Sequence, residues 1–211
     1  MNLILLGPPG GGKGTQSKFL EKQFGLEAIV TGSLIREAIA SSSEIGERAK
    51  GFVSKGRLVP DEIVVQLIKE KIKLRMNDFI LDGFPRNVRQ AVFLDEILSE
   101  CEIKIDYIVS IGIKEKEIVS RLTGRRVCRD CGLNYHIVTK IPRVSAKCDK
   151  CDGELFERDD DKEEVIKERI RVFNDMTKEL VGYYKSRGIV KNVDGAGSEC
   201  DVSKRILVEI S

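Results

Sequence analysis

Residues 3–15 of the chain read LILLGPPGGGKGT, and this stretch decides the fold. The apolar run at its start is typical of a buried strand. The glycines that follow have no Cβ, so the loop can turn tightly and bring backbone N–H groups close to a ligand. Apolar residues at Phe19, Leu20 and Phe24 then have helical spacing. Strand, glycine loop and helix together predict a phosphate-binding loop, in which the N–H groups and the dipole of the helix start attract an anion.

Lys13 lies in this loop and supplies a mobile positive charge for the outer phosphates of a nucleotide. The loop departs from the general pattern in one place. Gly14 follows the lysine where a hydroxyl residue is usual, and Thr15 comes one position later. The alternative interpretation is an ordinary glycine turn between a strand and a helix. The spacing from Gly7 to Lys13, directly after a strand, favours the phosphate loop.

Composition and charge exclude several classes of protein. The chain has 211 residues, enough for one sizeable core with small inserts. A formal net charge of +2 argues against a whole-surface nucleic-acid binder. No apolar run approaches the ~20 residues of a membrane span, and the start of the chain has no pattern of a signal peptide. We expect a cytoplasmic monomer that has no nucleic-acid or membrane partner.

The rest of the chain alternates predicted strands with helices. Four further strands are predicted at residues 27–30, 79–81, 105–113 and 188–193. Such alternation predicts an α/β fold of the P-loop NTPase type, a three-layer sandwich with a five-stranded parallel sheet covered on both faces. Ligands of such sheets bind beyond the carboxyl ends of the strands. The glycine loop and Asp82–Arg86 fall there directly, whereas Arg121–Arg126 would have to reach this edge from the side.

Two segments interrupt the alternation and are predicted to be inserts. The first, between Val30 and Pro60, contains two short helices. The second, from Val127 to Arg158, has no periodicity and carries two C-x-x-C pairs, which are Cys128, Cys131, Cys148 and Cys151.

The 16 residues between these pairs match the spacing of structural zinc sites. Four thiolates suit a tetrahedral Zn²⁺ with no open position for chemistry, so a structural metal is predicted. Two disulfides and free thiols are the alternatives. A nucleic-acid-binding ribbon is disfavoured, because Tyr135 and Phe156 are the only aromatic residues in the segment.

Several motifs, taken in order along the chain, resemble those of the adenylate kinase family. They are the glycine loop, DGFPR at 82–86, Arg125-Arg126 and Asp160-Asp161. With the cysteine pairs, the chain is similar to the long form of the family, whose lid carries a zinc site. The resemblance covers essentially the whole length. It implies reversible transfer of a phosphoryl group from Mg-ATP to AMP, which gives two ADP.

The resemblance also implies a division into domains and a role for individual residues. The core would comprise 1–29, 60–122 and 161–211, with an AMP-binding insert at 30–59 and a zinc-bearing lid at 123–160. Glycines at the insert borders are hinge candidates: Gly32, Gly56 and Gly124. ATP would be bound by Gly10, Gly11, Gly12, Lys13, Gly14, Thr15, Arg121, Arg125, Tyr135 and Ala196.

The remaining implied roles concern AMP, catalysis and metals. AMP would be bound by Thr31, Arg36, Arg57, Leu58, Val59, Gly83, Phe84, Arg86, Gln90, Arg158 and Arg169. The catalytic residues would be Lys13, Arg86, Arg125, Arg158 and Arg169. Asp82 would hold Mg²⁺ through water, and the four cysteines would hold one Zn²⁺. The number of arginines is understandable, since phosphoryl transfer depends on positioning and on neutralising phosphate oxygens, which arginine binds in bidentate fashion.

Two residues depart from the family pattern. Ser33 stands where Asp is common after Thr-Gly. Asn87, directly after the motif at 82–86, makes this stretch similar to that of the pyrimidine monophosphate kinases. Those kinases share the motif but usually lack a zinc-bearing lid and the pairing of Thr31 with Gln90. AMP is therefore the expected acceptor. The alternatives are a pyrimidine nucleoside monophosphate kinase, or a non-kinase nucleotide switch with a zinc-ribbon nucleic-acid-binding module.

Overall fold

The computed structural model describes residues 1–55 and 57–210, so the hinge prediction for Gly56 lies outside the described residues. The helices α1 to α8 are Lys13–Phe24, Thr31–Ala40, Glu44–Val53, Asp61–Arg75, Val88–Glu100, Glu115–Thr123, Glu163–Lys185 and Glu199–Ile210. The strands β1 to β8 are Leu3–Leu6, Glu27–Val30, Phe79–Asp82, Tyr107–Gly112, Arg125–Cys128, Asn134–His136, Leu155–Phe156 and Val190–Asp194. Among the described residues, no helix combines the length and the apolar character that a bilayer span requires.

Five strands form one parallel sheet in the order β2-β3-β1-β4-β8. Its central strand β1 and the adjacent β3 are buried at every position. Strands covered on both faces need such near-continuous apolar sequences. The predicted five-stranded parallel sheet with surrounding helices is confirmed.

Alternate side chains of β1 enter two separate hydrophobic cores, because successive residues of a strand point to opposite faces. Leu3 and Leu5 pack in the core that includes residues of α1 and α8. Ile4 and Leu6 pack in the larger core, with residues of α4, α5 and α7. Full burial of one such side chain contributes roughly 1.5–3 kcal/mol. Packing on both faces therefore fixes the end of β1, from which the glycine loop emerges.

The segment without periodicity forms a separate three-stranded antiparallel sheet in the order β6-β5-β7. Its strands have two to four residues, which is too short to produce a detectable alternation. The small core of this sheet contains Cys128, Tyr135, Cys148 and Leu155. The structure thus places both C-x-x-C pairs in one compact ribbon beside the main sheet.

Candidate active site

The loop between β1 and α1 has the backbone of a phosphate-binding loop. Gly10 and Gly12 have φ angles of 73° and 91°, which glycine adopts without steric cost. A Cβ on Gly10 would lie 2.8 Å from Leu122 Cγ. Helix α1 begins at Lys13, and Gly12 is its N-cap. The positive end of the helix dipole and the N–H groups of this first turn can therefore attract an anion, although the Thr15 N–H already donates to the Gly12 carbonyl (3.0 Å).

The ammonium group of Lys13 is held inside this loop. Its Nζ donates hydrogen bonds to the carbonyl oxygens of Gly7 (2.7 Å) and Pro8 (2.9 Å). Burial lowers the pKa of Lys13 to about 8; Asp82 opposes this shift, and Arg86 adds to it. The lysine is thus a charge without a strong acidic partner, positioned where a phosphate would replace the two carbonyl contacts.

A cavity opens between the glycine loop, α2, the turn after β3 and α7. Ten of the predicted nucleotide-binding residues line it: Lys13, Thr31, Arg36, Arg57, Leu58, Val59, Gly83, Arg86, Gln90 and Arg169. Five of these are cationic and come from five different segments. Burial, with repulsion from neighbouring arginines, lowers the pKa of both Arg36 and Arg169 to about 10. So many positive charges facing one cavity favour a ligand with several negative charges.

Thr31 adds a buried hydroxyl group to the lining of the cavity. The residue is 2% exposed, and its Oγ1 has no hydrogen-bond partner among the described residues. Leaving a buried hydroxyl unpaired costs roughly 1–3 kcal/mol, so a polar ligand atom in the cavity would remove this cost. Ser33, one of the two departures from the family pattern, lies in the same turn of α2, with its Oγ 3.5 Å from Arg36 Nη2.

One wall of the cavity is mainly apolar and was not identified from the sequence. Helix α7 contributes Val172, Phe173, Met176 and Leu180 to this wall, beside Arg169 and Thr177. Their spacing along the helix is the signal of a buried face, and that signal does not distinguish a core from a ligand-binding wall.

Acidic residues before α7 hold three arginines near the cavity. Arg158 donates two 3.0 Å hydrogen bonds to the carboxylate of Asp160, and Arg125 donates two to Asp161, at 2.7 and 2.5 Å. Arg169 lies 3.0 Å from Asp160 and 3.2 Å from Asp161. Asp159–Asp161 form a 3-10 turn directly before α7, which begins at Glu163. Asp160 and Asp161 thus anchor arginines from separate segments.

Strand β3 ends at Asp82, close to the glycine loop. Asp82 is 6% exposed; burial raises the pKa of its carboxyl group, while Lys13 and Arg86 lower it. A Cβ on Gly14 would lie 3.8 Å from Asp82 Oδ2, so the carboxylate sits against the first turn of α1. A carboxylate beside a phosphate site is a suitable acceptor for the water ligands of Mg²⁺.

The turn after β3 is connected to α4 by side-chain amides. Gln90 Oε1 accepts a hydrogen bond from the Arg86 N–H (2.8 Å), and Gln90 Nε2 donates to Asp61 Oδ1 (2.8 Å). Asn87 caps α5, because its Oδ1 accepts from the Gln90 N–H (2.8 Å), and its Nδ2 donates to Asp61 (3.1 Å). Capping and this contact account for Asn87 without reference to a pyrimidine. Asp61 was not identified from the sequence, since an acid at the start of a helix is common.

Four other predicted residues lie outside the cavity wall. Arg121 reaches the edge of the sheet from the side, where its Nη2 donates to the Gly195 carbonyl (3.1 Å), and Ala196 follows in that loop. Phe84 is fully buried in the larger core, so only its backbone is available to AMP. The Tyr135 hydroxyl lies in the ribbon, 3.5 Å from Cys148 Sγ and 2.7 Å from the Asp149 nitrogen. The ATP contacts of Tyr135 and Ala196 stay predictions.

The four cysteines of the ribbon form a group that could hold a metal ion. All four sulfur atoms lie within 4.8 Å of one another. The Cys128–Cys151 and Cys131–Cys148 sulfur pairs are each 3.5 Å apart. A tetrahedral site with metal–sulfur bonds of about 2.3 Å has sulfur–sulfur distances of about 3.8 Å, so the arrangement requires little adjustment to bind a metal.

A glycine loop and its lysine, at the edge of a parallel sheet and facing an arginine-lined cavity, define a phosphotransferase of the P-loop class. A sequence model of the family described as adenylate kinase matches residues 5–189. The chain belongs to the adenylate kinase family.

Individual relatives are similar over nearly the whole length. The chain is 49% identical to the adenylate kinase of Archaeoglobus fulgidus, over 92% of this chain and 91% of the relative. It is 47% identical to the adenylate kinase of Geotalea uraniireducens, over 98% of this chain and 96% of the relative. It is 46% identical to the adenylate kinase of Thermodesulfovibrio yellowstonii, over 94% of this chain and 93% of the relative. The predicted enzyme class and reaction, reversible phosphoryl transfer from Mg-ATP to AMP, are confirmed, and the pyrimidine and non-kinase alternatives are not favoured.

Proposed function

We propose that ATP and AMP bind end to end in this chain, with the phosphoryl group moving between them at Lys13. The observation that carries this proposal is the convergence of five cationic residues from separate segments on one cavity, beside the glycine loop. ATP phosphates would occupy the N–H groups of residues 10–15, with Arg121 and Arg125 beside them. AMP would fill the cavity, its phosphate on Arg36 and Arg86 and its base near Thr31 and Gln90.

The cations would act mainly in the transition state. Charge on the moving phosphoryl group spreads over three oxygens, and arginines that meet those oxygens lower the barrier without covalent chemistry. Arg158 and Arg169 share Asp160, and Arg125 is held by Asp161, so their guanidinium groups are already oriented by carboxylates. Orientation before binding reduces the entropy lost when the phosphates arrive.

The division into core, AMP-binding insert (30–59) and lid (123–160) is also part of the proposal. It is supported by the separate sheet of the ribbon and by the pair of short helices α2 and α3. Closure of both inserts would exclude water, which would otherwise compete with AMP for the phosphoryl group. Gly32 and Gly124 stay hinge candidates.

Two metals fit the residues present. Asp82 would hold Mg²⁺ through water, where the cation supplies charge to the ATP phosphates. The four cysteines would hold one structural Zn²⁺, because four sulfur ligands leave no open position. Thiolate ligands need a reducing compartment, which favours the cytoplasm. We further propose a monomer without nucleic-acid or membrane partners, in keeping with a net charge near zero.

The acceptor preference tests the proposed function. ADP formation from Mg-ATP should require added AMP, and kcat/KM for AMP should exceed that for CMP or UMP by roughly 100-fold or more. A coupled assay of ADP, run with each monophosphate in turn, measures both. Comparable values for CMP would contradict the assignment of the cavity to AMP, and ADP formation without any monophosphate would instead favour a nucleotide switch.

The pKa of Lys13 predicts a pH dependence. Burial lowers this pKa from 10.5 to about 8, so in the free enzyme the ammonium loses its charge as the pH rises through 8. Since kcat/KM reports ionisations of the free enzyme, kcat/KM for Mg-ATP should fall above about pH 8. At saturating nucleotide, kcat should decline only at higher pH, because bound phosphates favour the charged lysine. A value of kcat/KM that stays constant well beyond this pH would contradict the prediction.

A further inference from the structure

We propose that Asp61 is a positioning residue that sets base specificity, by fixing which way the amide of Gln90 faces. The inference rests on the proposed function, in which Gln90 meets the base of AMP. Gln90 lines the cavity and is 1% exposed, and Asp61 is the first residue of α4. Asp61 itself is not among the residues that line the cavity, so it would act only through Gln90.

Two protein contacts hold the Gln90 amide in one orientation. At one end, Oε1 accepts from the Arg86 N–H, which can only donate. At the other end, Nε2 donates to Asp61 Oδ1, which as a carboxylate oxygen can only accept. Rotating the amide by 180° would place the Nε2 donor against the Arg86 N–H, which is also a donor. It would place the Oε1 acceptor against Asp61 Oδ1, which is also an acceptor. Both ends therefore resist the same rotation.

The Gln90 amide, fixed in this orientation, still has hydrogen-bonding groups that are free for a ligand. One of the two Nε2 hydrogens and one Oε1 lone pair are already used, which leaves one donor and one acceptor at known ends of the group. Adenine presents an amino donor at C6 beside an acceptor at N1, whereas hypoxanthine presents an acceptor at C6 beside an N1–H donor. With the phosphate end held by arginines, a fixed amide matches one of these bases, but a freely rotating amide could match either.

Asp61 is held in place by more than Gln90. The same Oδ1 accepts from Asn87 Nδ2 at 3.1 Å, so two amide donors converge on one carboxylate oxygen. Its Oδ2 lies 3.9 Å from Arg89 Nε, a largely exposed group. The carboxylate side chain is 13% exposed, which limits competition from water. Asn87 therefore supports Asp61, which in turn positions Gln90.

The experiment compares AMP with IMP, which differ in the base only at positions 1 and 6. In Asp61→Ala, only the Arg86 N–H still resists rotation of Gln90. We expect the ratio of kcat/KM for AMP to that for IMP to fall roughly tenfold or more, through a higher KM for AMP and with KM for ATP unchanged. Asp61→Asn, whose Oδ1 can still accept from both amides, should restore most of the ratio.

Glu62→Ala is the matched control, because Glu62 is the next acidic residue of the same first turn and is exposed. It should leave the ratio unchanged, which separates positioning from a general effect on α4. An unchanged ratio in a folded Asp61→Ala protein would overturn the proposal. If that variant does not fold, Asp61→Ser, whose hydroxyl is too short to replace the carboxylate, decides between the same outcomes.

Failure of this inference is distinguishable from failure of the proposed function. If the unmodified enzyme does not prefer AMP to IMP, the assignment of the cavity to the AMP base is wrong, and Asp61 has no specificity to set. If the unmodified enzyme prefers AMP and the alanine variant keeps that preference, only the role of Asp61 is wrong.

Discussion

Replacing Lys13 by alanine should reduce kcat by roughly 10³-fold, because a charge that follows the moving phosphoryl group acts chiefly in the transition state. Stability should not decrease. The pKa of Lys13 is lowered in the folded protein, which means that folding disfavours the charged lysine at neutral pH. The side chain donates hydrogen bonds only to two carbonyl oxygens of its own loop, and the buried carboxylate of Asp82, whose pKa Lys13 lowers, would still have Arg86 as a neighbouring positive charge.

A coupled ADP assay and a thermal melt of the same preparation measure these two effects. Lys18→Ala is the matched control, since Lys18 is an exposed lysine on the same helix and should be dispensable for activity. If the Lys13 variant retained a tenth of the activity, the proposed role of the lysine in transfer would be wrong. If it failed to fold, the expectation of unchanged stability would be wrong.

Replacing Cys128 by serine should lower the melting temperature by about 10 °C or more and leave residual activity at low temperature. The ribbon core contains four buried residues, two of which are metal-ligand candidates, so a bound metal would contribute much of its folding free energy. A loss of several kcal/mol lowers the melting temperature of a chain of this size by a few degrees per kcal/mol. Chemistry should persist below that temperature, because the cysteines are not among the residues that line the cavity.

Metal content and melting temperature, measured together, test the structural role. The intact chain should hold one zinc ion, and Cys128→Ser should bind it much more weakly. Cys200→Ser is the control, because Cys200 is exposed and is not part of the cysteine group. A Cys128 variant that is fully stable yet inactive would show that the metal acts in catalysis instead, and a metal-free intact protein would contradict the zinc assignment.

Features that depend on residues close together in the chain were predictable. The glycine loop was found from the spacing between Gly7 and Lys13, and the four-cysteine group, which could hold a metal ion, from two C-x-x-C pairs. The parallel sheet followed from the alternation of strands and helices. In each case the spacing itself is the physical requirement, because a tight loop, a pair of metal ligands or a strand face is formed by neighbouring residues. The resemblance carried by these motifs also led to the enzyme family, which the comparisons confirmed.

Only the tertiary structure decided which distant residues meet. Asp161 holds Arg125 across 36 residues of sequence, and Asp61 binds Gln90 across 29. Asp161 belongs to a motif that carries the family resemblance, but the motif does not indicate its arginine partner, and the sequence near Asp61 does not distinguish it from a carboxylate that favours a helix start. A charged side chain takes its role from the partner that the path of the chain brings to it, and burial then determines how strongly the two interact. By itself, therefore, the sequence determined the fold, the loop and the chemistry, while the packed structure decided how the arginines and the Gln90 amide are aimed.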